Sequence, residues 1–434
     1  MKRIFYLFFF CFLFLLNSQL TAQPSNSPDY PITTAVNIDQ YNPSVFVNPW
    51  NPDEVINTNV RFNHTVQGSL IVFSAQPGDF YKTLNAGGAW LGYNLPSISN
   101  TNNAPTVQID ENGRYYVNYG DADQGIFLAW SDDKGANWLQ KTLKAKPNKP
   151  FFYVNNTNFH IDNSERSMHR GNKYSVWRFI GIEAHDYCIE FTMSEAGSDE
   201  WSNTVNICGN EPSGGTFEEW PEIKTGSFGE VYTCWMNHEN GPGTGETSIG
   251  FNSSLDGGKT FGINYDIQQN IRGLSGYNSL NGLDLISAPA MAVDISGGPY
   301  DGRIYVFWAN VGTPGVNTGQ DVDIYMISAE RYGSTWSAPV KVNQDAAGLS
   351  KEHFLPAATC DPETGTLTVI YYDNRNTGSN MAEMWGSVSY DGGATFSDFK
   401  ISDVALNISN LNSIQDGFVS SKIGVSAANG KVYP

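Results

Sequence analysis

Six copies of one short pattern recur along this chain and constrain its fold more than any other feature. Three follow the rule S-x-D-x-G-x-[TN]-aromatic without exception: SDDKGANW at 131–138, SLDGGKTF at 254–261 and SYDGGATF at 389–396. Three degenerate copies fill the gaps: TLNAGGAW at 83–90, SEAGSDEW at 194–201 and SAERYGSTW at 328–336, the last with one inserted residue. Successive copies start 48, 63, 60, 74 and 61 residues apart, the length of one four-stranded β-propeller blade. Each position has a physical role. The Asp carboxylate accepts backbone N–H groups inside the turn, the Gly supplies a left-handed corner, and the aromatic plugs into the sheet behind it.

A second pattern precedes the octets. PTVQIDENGRYYVNY from Pro105, PEIKTGSFGEVYTCW from Pro221, PAMAVDISGGPYDGRIYVFW from Pro289 and PAATCDPETGTLTVIYY from Pro356 each alternate apolar and polar residues, break at Gly and alternate again. These are hairpins of half-buried strands, the two inner strands of a blade. WSAPVKVNQD (336–345) and FSDFKISDV (396–404) read as outer strands, and so does PITTAVNIDQ at 31–40. KIGVSAANGKVYP from Lys422 reads as an inner hairpin cut off mid-strand. The expected fold is therefore all-β: six complete repeats plus a partial seventh blade, opened by the C-terminal segment and closed by the N-terminal strand. The alternative is a six-bladed ring with 422–434 packed as an extra strand.

The octets resemble the Asp box, or bacterial neuraminidase repeat, of the sialidase-like superfamily. The resemblance implies a propeller with the boxes on the face opposite the active site. It says little about chemistry, because glycosidases, polysaccharide lyases, sorting receptors and assembly factors share the repeat. The sialidase catalytic set is not matched: the arginine-isoleucine-proline signature is missing, and Arg61 in NTNVRFN, the nearest arginine, has no proline after it.

Residues 1–22 have the three-part form of a secretory signal peptide, with Lys2 and Arg3 ahead of an apolar run and Ala22 at a small-residue cleavage site. Residues 23–434 then form one domain, secreted or at the cell surface, without membrane insertion. A formal charge of −19 argues against nucleic acid and anionic lipid as partners. The expected partner is an extracellular glycan or glycoprotein. Cys188 and Cys208 flank EFTMSEAGSDEWSNTVNI almost symmetrically, so in a hairpin they face each other, and a disulfide is expected there. Cys234 and Cys360 are expected as buried thiols.

If the octets occupy one face, the loops between second and third strands form the other. The eighth residue after each hairpin Gly or its equivalent is Arg61, Asp121, Phe179, Asn237, Asn310 and Asp373. Two positions earlier stand Asn59, Tyr119, Trp177, Trp235, Trp308 and Tyr371. Polar groups above aromatic platforms suit sugar rings, although an aromatic ending a strand is more often blade packing. Arg61, Arg178, Asn237, Asn310, Arg375, Trp235 and Trp308 are thus the candidates for substrate binding. Glu219, Asp121 and Asp373 are the candidate catalytic carboxylates, Glu219 sharing FEEWPEI with Glu218, of which only one can face the axis. No metal or cofactor is required by any motif. Asp121 in DADQG, and Asp321 and Asp323 in DVD, offer the alternate carboxylates that ligate Ca²⁺, but neither completes a calcium loop, and turns capped by Asp are the favoured reading. Two functions remain: an enzyme, glycosidase or lyase, acting on extracellular glycans, and a non-catalytic carbohydrate-binding or adhesion module.

Overall fold

The computed structural model describes residues 38–434 apart from 68–69, 77–78, 95–104, 122–123, 148–152, 182–186, 210–215, 240–244, 278–284, 379–380 and 408–421. The signal-peptide segment lies outside the described residues.

Six antiparallel sheets form a six-bladed propeller. Blade one holds β1 (Ile38–Val47), β2 (Val55–Gln67), β3 (Leu70–Gln76), β4 (Asp79–Thr83) and β5 (Leu91–Asn94), with β2 long enough to pair with β1, β3 and β4. Blade two is β6 (Thr106–Ile109), β7 (Tyr115–Asp121), β8 (Gly125–Ser131) and β9 (Leu139–Ala145). Blade three is β10 (Tyr153–Ile161), β11 (Lys173–Ile180), β12 (Cys188–Ser194) and β13 (Val205–Asn206). Blade four is β14 (Thr216–Thr225), β15 (Val231–Glu239), β16 (Glu246–Ser254) and β17 (Tyr265–Gln269). Blade five is β18 (Ala290–Val293), β19 (Ile304–Val311), β20 (Val322–Ala329) and β21 (Val340–Lys341). Blade six is β22 (His353–Cys360), β23 (Leu367–Asp373), β24 (Met381–Ser389) and β25 (Ser397–Lys400), with β26 (Leu406–Asn407) beside β24.

The C-terminal hairpin, β27 (Ser426–Ala428) and β28 (Lys431–Tyr433), packs between β22 and β1 as an addition to the six-bladed ring, the alternative expected from the sequence, and not as a seventh blade closed by an N-terminal outer strand. The N-terminal expectation needs correction. Ile38–Gln40 open β1, which is the innermost strand of blade one rather than an outer strand, and Pro31–Asn37 lie outside the described residues.

Each full octet closes the turn between third and fourth strands with one set of bonds. Gly135, Gly258 and Gly393 donate their N–H to the hydroxyls of Ser131, Ser254 and Ser389 at 2.8, 2.9 and 2.8 Å. Asn137, Thr260 and Thr395 donate theirs to Asp133, Asp256 and Asp391 at 2.7, 2.9 and 2.9 Å. The Thr83 copy reproduces the pattern with Asn85 in place of Asp. Asn137 and Ser131 hold the exposed Asp133 carboxyl down to about 2. The closing aromatics meet inner rings edge-on: Trp138 on Phe80 at 5.1 Å, Phe261 on Phe191 at 4.7 Å, Trp336 on Phe251 at 5.2 Å.

Cys188 and Cys208 fall opposite each other in the register that pairs Glu190 with Asn206, extended by the Ile207 N–H to Ile189 carbonyl bond. Both are nevertheless free thiols. The Cys208 sulfur accepts the Ile189 N–H at 3.1 Å and lies 3.3 Å from Asn206 Oδ1. Cys234 is buried and Cys360 half-buried, both also free.

Candidate functional site

The innermost strands share a kink. In β1, β10, β14 and β22 the register slips by one residue, and Asn42, Asn156, Trp220 and Leu355 there take left-handed φ of 51–57°. Pro43, Pro221 and Pro356 follow three of them, placed where the ladder is already broken and a missing N–H costs nothing. These bulges ring a central cavity of about 230 Å³ that follows the propeller axis. Its wall is mostly small and apolar, with one polar quarter built by blades three and four.

Strand periodicity explains that quarter. Below the bulges, Asn158 and His160 of β10, and Glu222 and Lys224 of β14, are two residues apart and so share the lumen side of their strands. Asn158 Nδ2 donates to Glu222 Oε1 at 2.7 Å, tying the two blades together. Lys224 Nζ stands 3.9 Å from Glu222 Oε2. His160 Nε2 and the Thr225 hydroxyl are 3.1 Å apart. The segment leading into the C-terminal hairpin adds Lys422 to the lining.

Burial dominates the electrostatics here. It pushes the Glu222 carboxyl above its ordinary range, against the pull of Lys224, Lys422 and Asn158. It depresses the Lys422 ammonium, which the Glu222 charge opposes and the Lys224 charge reinforces. It drives His160 well below its ordinary value, with Lys224 adding to the effect, so the ring is neutral at pH 7. Buried polar atoms of the lining with no hydrogen-bond partner among the described residues include Asn158 Oδ1, His160 Nδ1 and Trp220 Nε1, and, from blade two, Thr106 Oγ1 and Gln108 Oε1. Buried polar atoms are seldom left so, and a cluster around a cavity marks groups that water or a ligand completes.

The residues expected from sequence are spread differently. Trp235 and Trp308 are 1% and 0% exposed, packed in the core between blades, so neither offers a face to a sugar. Asn237 is consumed by Ser248 and Asp266, and Asn310 by Gly312, Asn317 and the Arg272 N–H. Asp121 is fully buried and caps its own turn through the Gln124 N–H. Asp321 accepts the N–H groups of Gly348 and Ser350 in the loop before β22 and does not cap a turn of its own, while Asp323 is held by Lys341 and Asn343. Arg61 belongs to β2, and its side chain lies outside the described residues.

Two pairs form among the candidates. Arg178 of blade three meets Glu219 of blade four at 2.5 Å, with His238 at 3.6 Å from the same carboxylate. Both Arg178 and Glu219 are under 10% exposed. In blade six Asp373 and Arg375 meet at 2.5 Å, inside a larger network. Arg375 also binds Asp398 at 2.6 Å and lies over Trp385, while His353 sits 3.3 Å from both Asp373 and Asp345 and 3.6 Å from Asp323. Asp323, Asp345 and His353 are near enough to share one cation, but Lys341 at 3.0 Å from Asp323 already supplies positive charge. Glu222, Lys224, His160 and Lys422 were missed. Glu222 and Lys224 carried only period-two spacing after Pro221, a pattern that several inner strands share, and His160 and Lys422 follow no nearby proline at all.

No family model and no curated protein matches the sequence. Among solved structures the chain is similar to an ulvan lyase bound to -[GlcA(1-4)Rha3S]-, at 13% identity and a TM-score of 0.50, over 90% of this chain and 89% of that one. It is also similar to a protein of unknown function from Dyadobacter fermentans DSM 18053 (13%, 0.49, 81% and 94%) and to a Hadza microbial sialidase (12%, 0.47, 82% and 68%). At such identity the first of these likenesses shows the fold, a β-propeller, and nothing of its chemistry.

Proposed function

We propose that this propeller processes glycans carrying a carboxylate, with the axial lumen as its site and β-elimination as its reaction. The observation that carries the reading is the composition of the lumen wall. Among the described residues it has one carboxyl, Glu222, one imidazole, His160, and two ammonium groups, Lys224 and Lys422.

Hydrolysis by a glycosidase ordinarily needs two carboxyl groups flanking the bond, and the described wall has one. Elimination needs a different set. The carboxylate of a uronic acid must be neutralised so that the proton α to it becomes acidic, a neutral base must take that proton, and an acid must protonate the departing oxygen. Lys224 and Lys422 fit the first role. His160, neutral and with Nδ1 unpartnered among the described residues, fits the second. Glu222, its proton held more tightly by burial, fits the third. The C5–H bond breaks to His160, a C4=C5 double bond forms, the C4–O bond breaks and the oxygen takes the Glu222 proton. A lumen of about 230 Å³ suits one sugar unit entering end-on rather than a long chain lying across it. Secretion, expected from the first 22 residues, would place the protein with such polymers.

The test is product chemistry. Purified protein is incubated with uronate-containing polysaccharides, and both reducing ends and the ultraviolet absorbance of a conjugated uronate are followed. Reducing ends rising together with absorbance support elimination. Reducing ends without absorbance would replace it with hydrolysis, and neither signal across uronate polymers, with binding retained, would leave a carbohydrate-binding module.

A further inference from the structure

The chain has 44 acidic residues against 25 basic ones, so a cation on its surface seldom lacks a carboxylate beside it. Among the arginines with described side chains, Arg272 alone makes no ion pair with one. It lies exposed in the segment that crosses from β17 to β18, between blades four and five. The octets close the turns between third and fourth strands. In an antiparallel blade the second-to-third loops and the crossovers between blades therefore share the opposite face, where a propeller has room to bind. An open cleft of about 400 Å³ lies there, walled by Glu239, Thr247, Arg272, Ser275 and Tyr277.

The arginine is held in place along its whole length. Its backbone N–H donates to Asn310 Oδ1 at 2.9 Å, and its carbonyl accepts the Val311 N–H at 2.8 Å. Asn317 Nδ2 donates to the Asn270 carbonyl and Asn270 Nδ2 to the Gly315 carbonyl, each at 2.8 Å, stitching the crossover to the loop between β19 and β20. The guanidinium rests over the Tyr277 ring, 5.4 Å from its centroid, and Nη1 donates to the Asn317 and Gly319 carbonyls at 3.3 Å each. Nε and Nη2 have no partner among the described residues. Those two N–H groups form the planar fork that takes both oxygens of one carboxylate or sulfate. Much of the cost of ordering a long side chain is thus met before a ligand arrives. Glu246 does not compete for the fork, because its oxygens accept the Ser275 N–H at 3.0 Å, the Ser275 hydroxyl at 2.7 Å and the Ser287 N–H at 2.8 Å. Glu239, exposed at the rim, repels a bare anion but accepts hydroxyl groups, so the arrangement suits an oxyanion carried on a sugar.

From this we infer that the Arg272 cleft is a second subsite for acidic glycans, holding the carboxylate or sulfate of a sugar unit outside the lumen. The inference rests on the glycan reading of the propeller but not on elimination, since the cleft and the lumen share no lining residue. Arg272 works through its fork, and Asn310, a candidate for substrate contact by sequence, acts instead by positioning the Arg272 backbone.

Calorimetric titration of the full chain tests this with three probes of equal length: a uronate oligosaccharide, the same oligosaccharide after carboxyl reduction, and a sulfated neutral oligosaccharide. Arg272→Gln is expected to weaken binding of an acidic probe about tenfold, while the carboxyl-reduced probe binds wild type and variant alike. Arg272→Lys, which keeps the charge and loses the fork, is expected to recover that loss only in part. The acidic probe that loses affinity identifies the anion as carboxylate or sulfate. Equal affinity of wild type and Arg272→Gln for both acidic probes would overturn the inference. So would an equal loss on the carboxyl-reduced probe, or no measurable binding of either acidic probe to the wild type. The product assay scores the lumen separately. An Arg272 effect without elimination would keep the subsite and remove the lumen chemistry, and elimination with unaltered binding in Arg272→Gln would do the reverse.

Discussion

Of the clusters of buried charge among the described residues, the blade-six network and the lumen group contrast most, in how far their polar atoms are satisfied. The blade-six network joins Asp323, Asp345, Asp373 and Asp398 to His353, Lys341 and Arg375 through close ion pairs. It also recruits Asn343, whose amide donates to both Asp323 and Asp345, and the Val322 carbonyl, which takes the His353 Nδ1 proton at 2.7 Å. Nothing in it awaits a partner. The lumen cluster has fewer charges, a longer ion pair and at least five lining polar atoms without partners among the described residues. A satisfied network rigidifies, while an unsatisfied one beside a cavity is where a ligand gains most. The first therefore ties strands within and between blades five and six, and the second is the site proposed for chemistry.

The contrast breaks most sharply by deleting the lumen acid. Glu222→Gln is expected to lower kcat by about 10²–10⁴-fold on a uronate polymer with little change in KM, since it removes a proton donor and leaves the volume alone. Steady-state kinetics by product absorbance check this, and unchanged kcat would remove Glu222 from the mechanism.

The blade-six network should respond in stability instead. His353→Asn is expected to cost about 3–5 kcal/mol, as removal of one partner from a buried charged set does, read by denaturant unfolding. Its pH dependence has a definite sign. Burial alone would depress His353, but the hydrogen bond and charge of Asp373, with Asp345, outweigh it and raise the value above the ordinary one. The stabilisation is therefore complete below the unfolded pKa of about 6.5 and is lost as pH rises through the folded value. Wild-type stability should fall over that alkaline-side window, and the variant should lack that component of the fall.

Outside both clusters, Cys188 and Cys208 give a smaller test. An oxidised glutathione buffer, itself reduced to two thiols, is expected to join them and add about 2–4 kcal/mol by closing the loop between them. Peptide mapping that finds both still alkylatable would deny the bridge. The smallest effect belongs to the octet face. Ser254→Ala removes the acceptor of the Gly258 N–H and should cost about 1 kcal/mol, with kinetics unchanged; altered kinetics would tie that face to the site.

What the sequence revealed follows the same division. The octets declared blades and a face because their chemistry is local: a serine, an aspartate and a glycine within five residues bond to one another wherever the chain goes. The aromatics two residues before the expected mouth positions recur regularly, but regularity is what packing between blades produces, and Trp235 and Trp308 are core. Glu219 and Arg178 do meet, yet the acid that reaches the lumen is Glu222. The slip at Trp220 between them re-aims the strand, and a left-handed tryptophan before a proline has no clear signature in a single sequence. Lys422 was harder still, since its place depends on how the two ends of the ring meet, some 380 residues apart.

The most direct test of the lumen as the working site is a crystal structure of the Glu222→Gln protein with an oligosaccharide whose reducing end is a 4-linked glucuronate. The terminal carboxylate is predicted between Lys224 and Lys422, with C5 facing His160 Nδ1 and the glycosidic oxygen facing residue 222. Density for the sugar at the Arg178–Glu219 pair or elsewhere on the surface, with the lumen holding only solvent, would contradict the account.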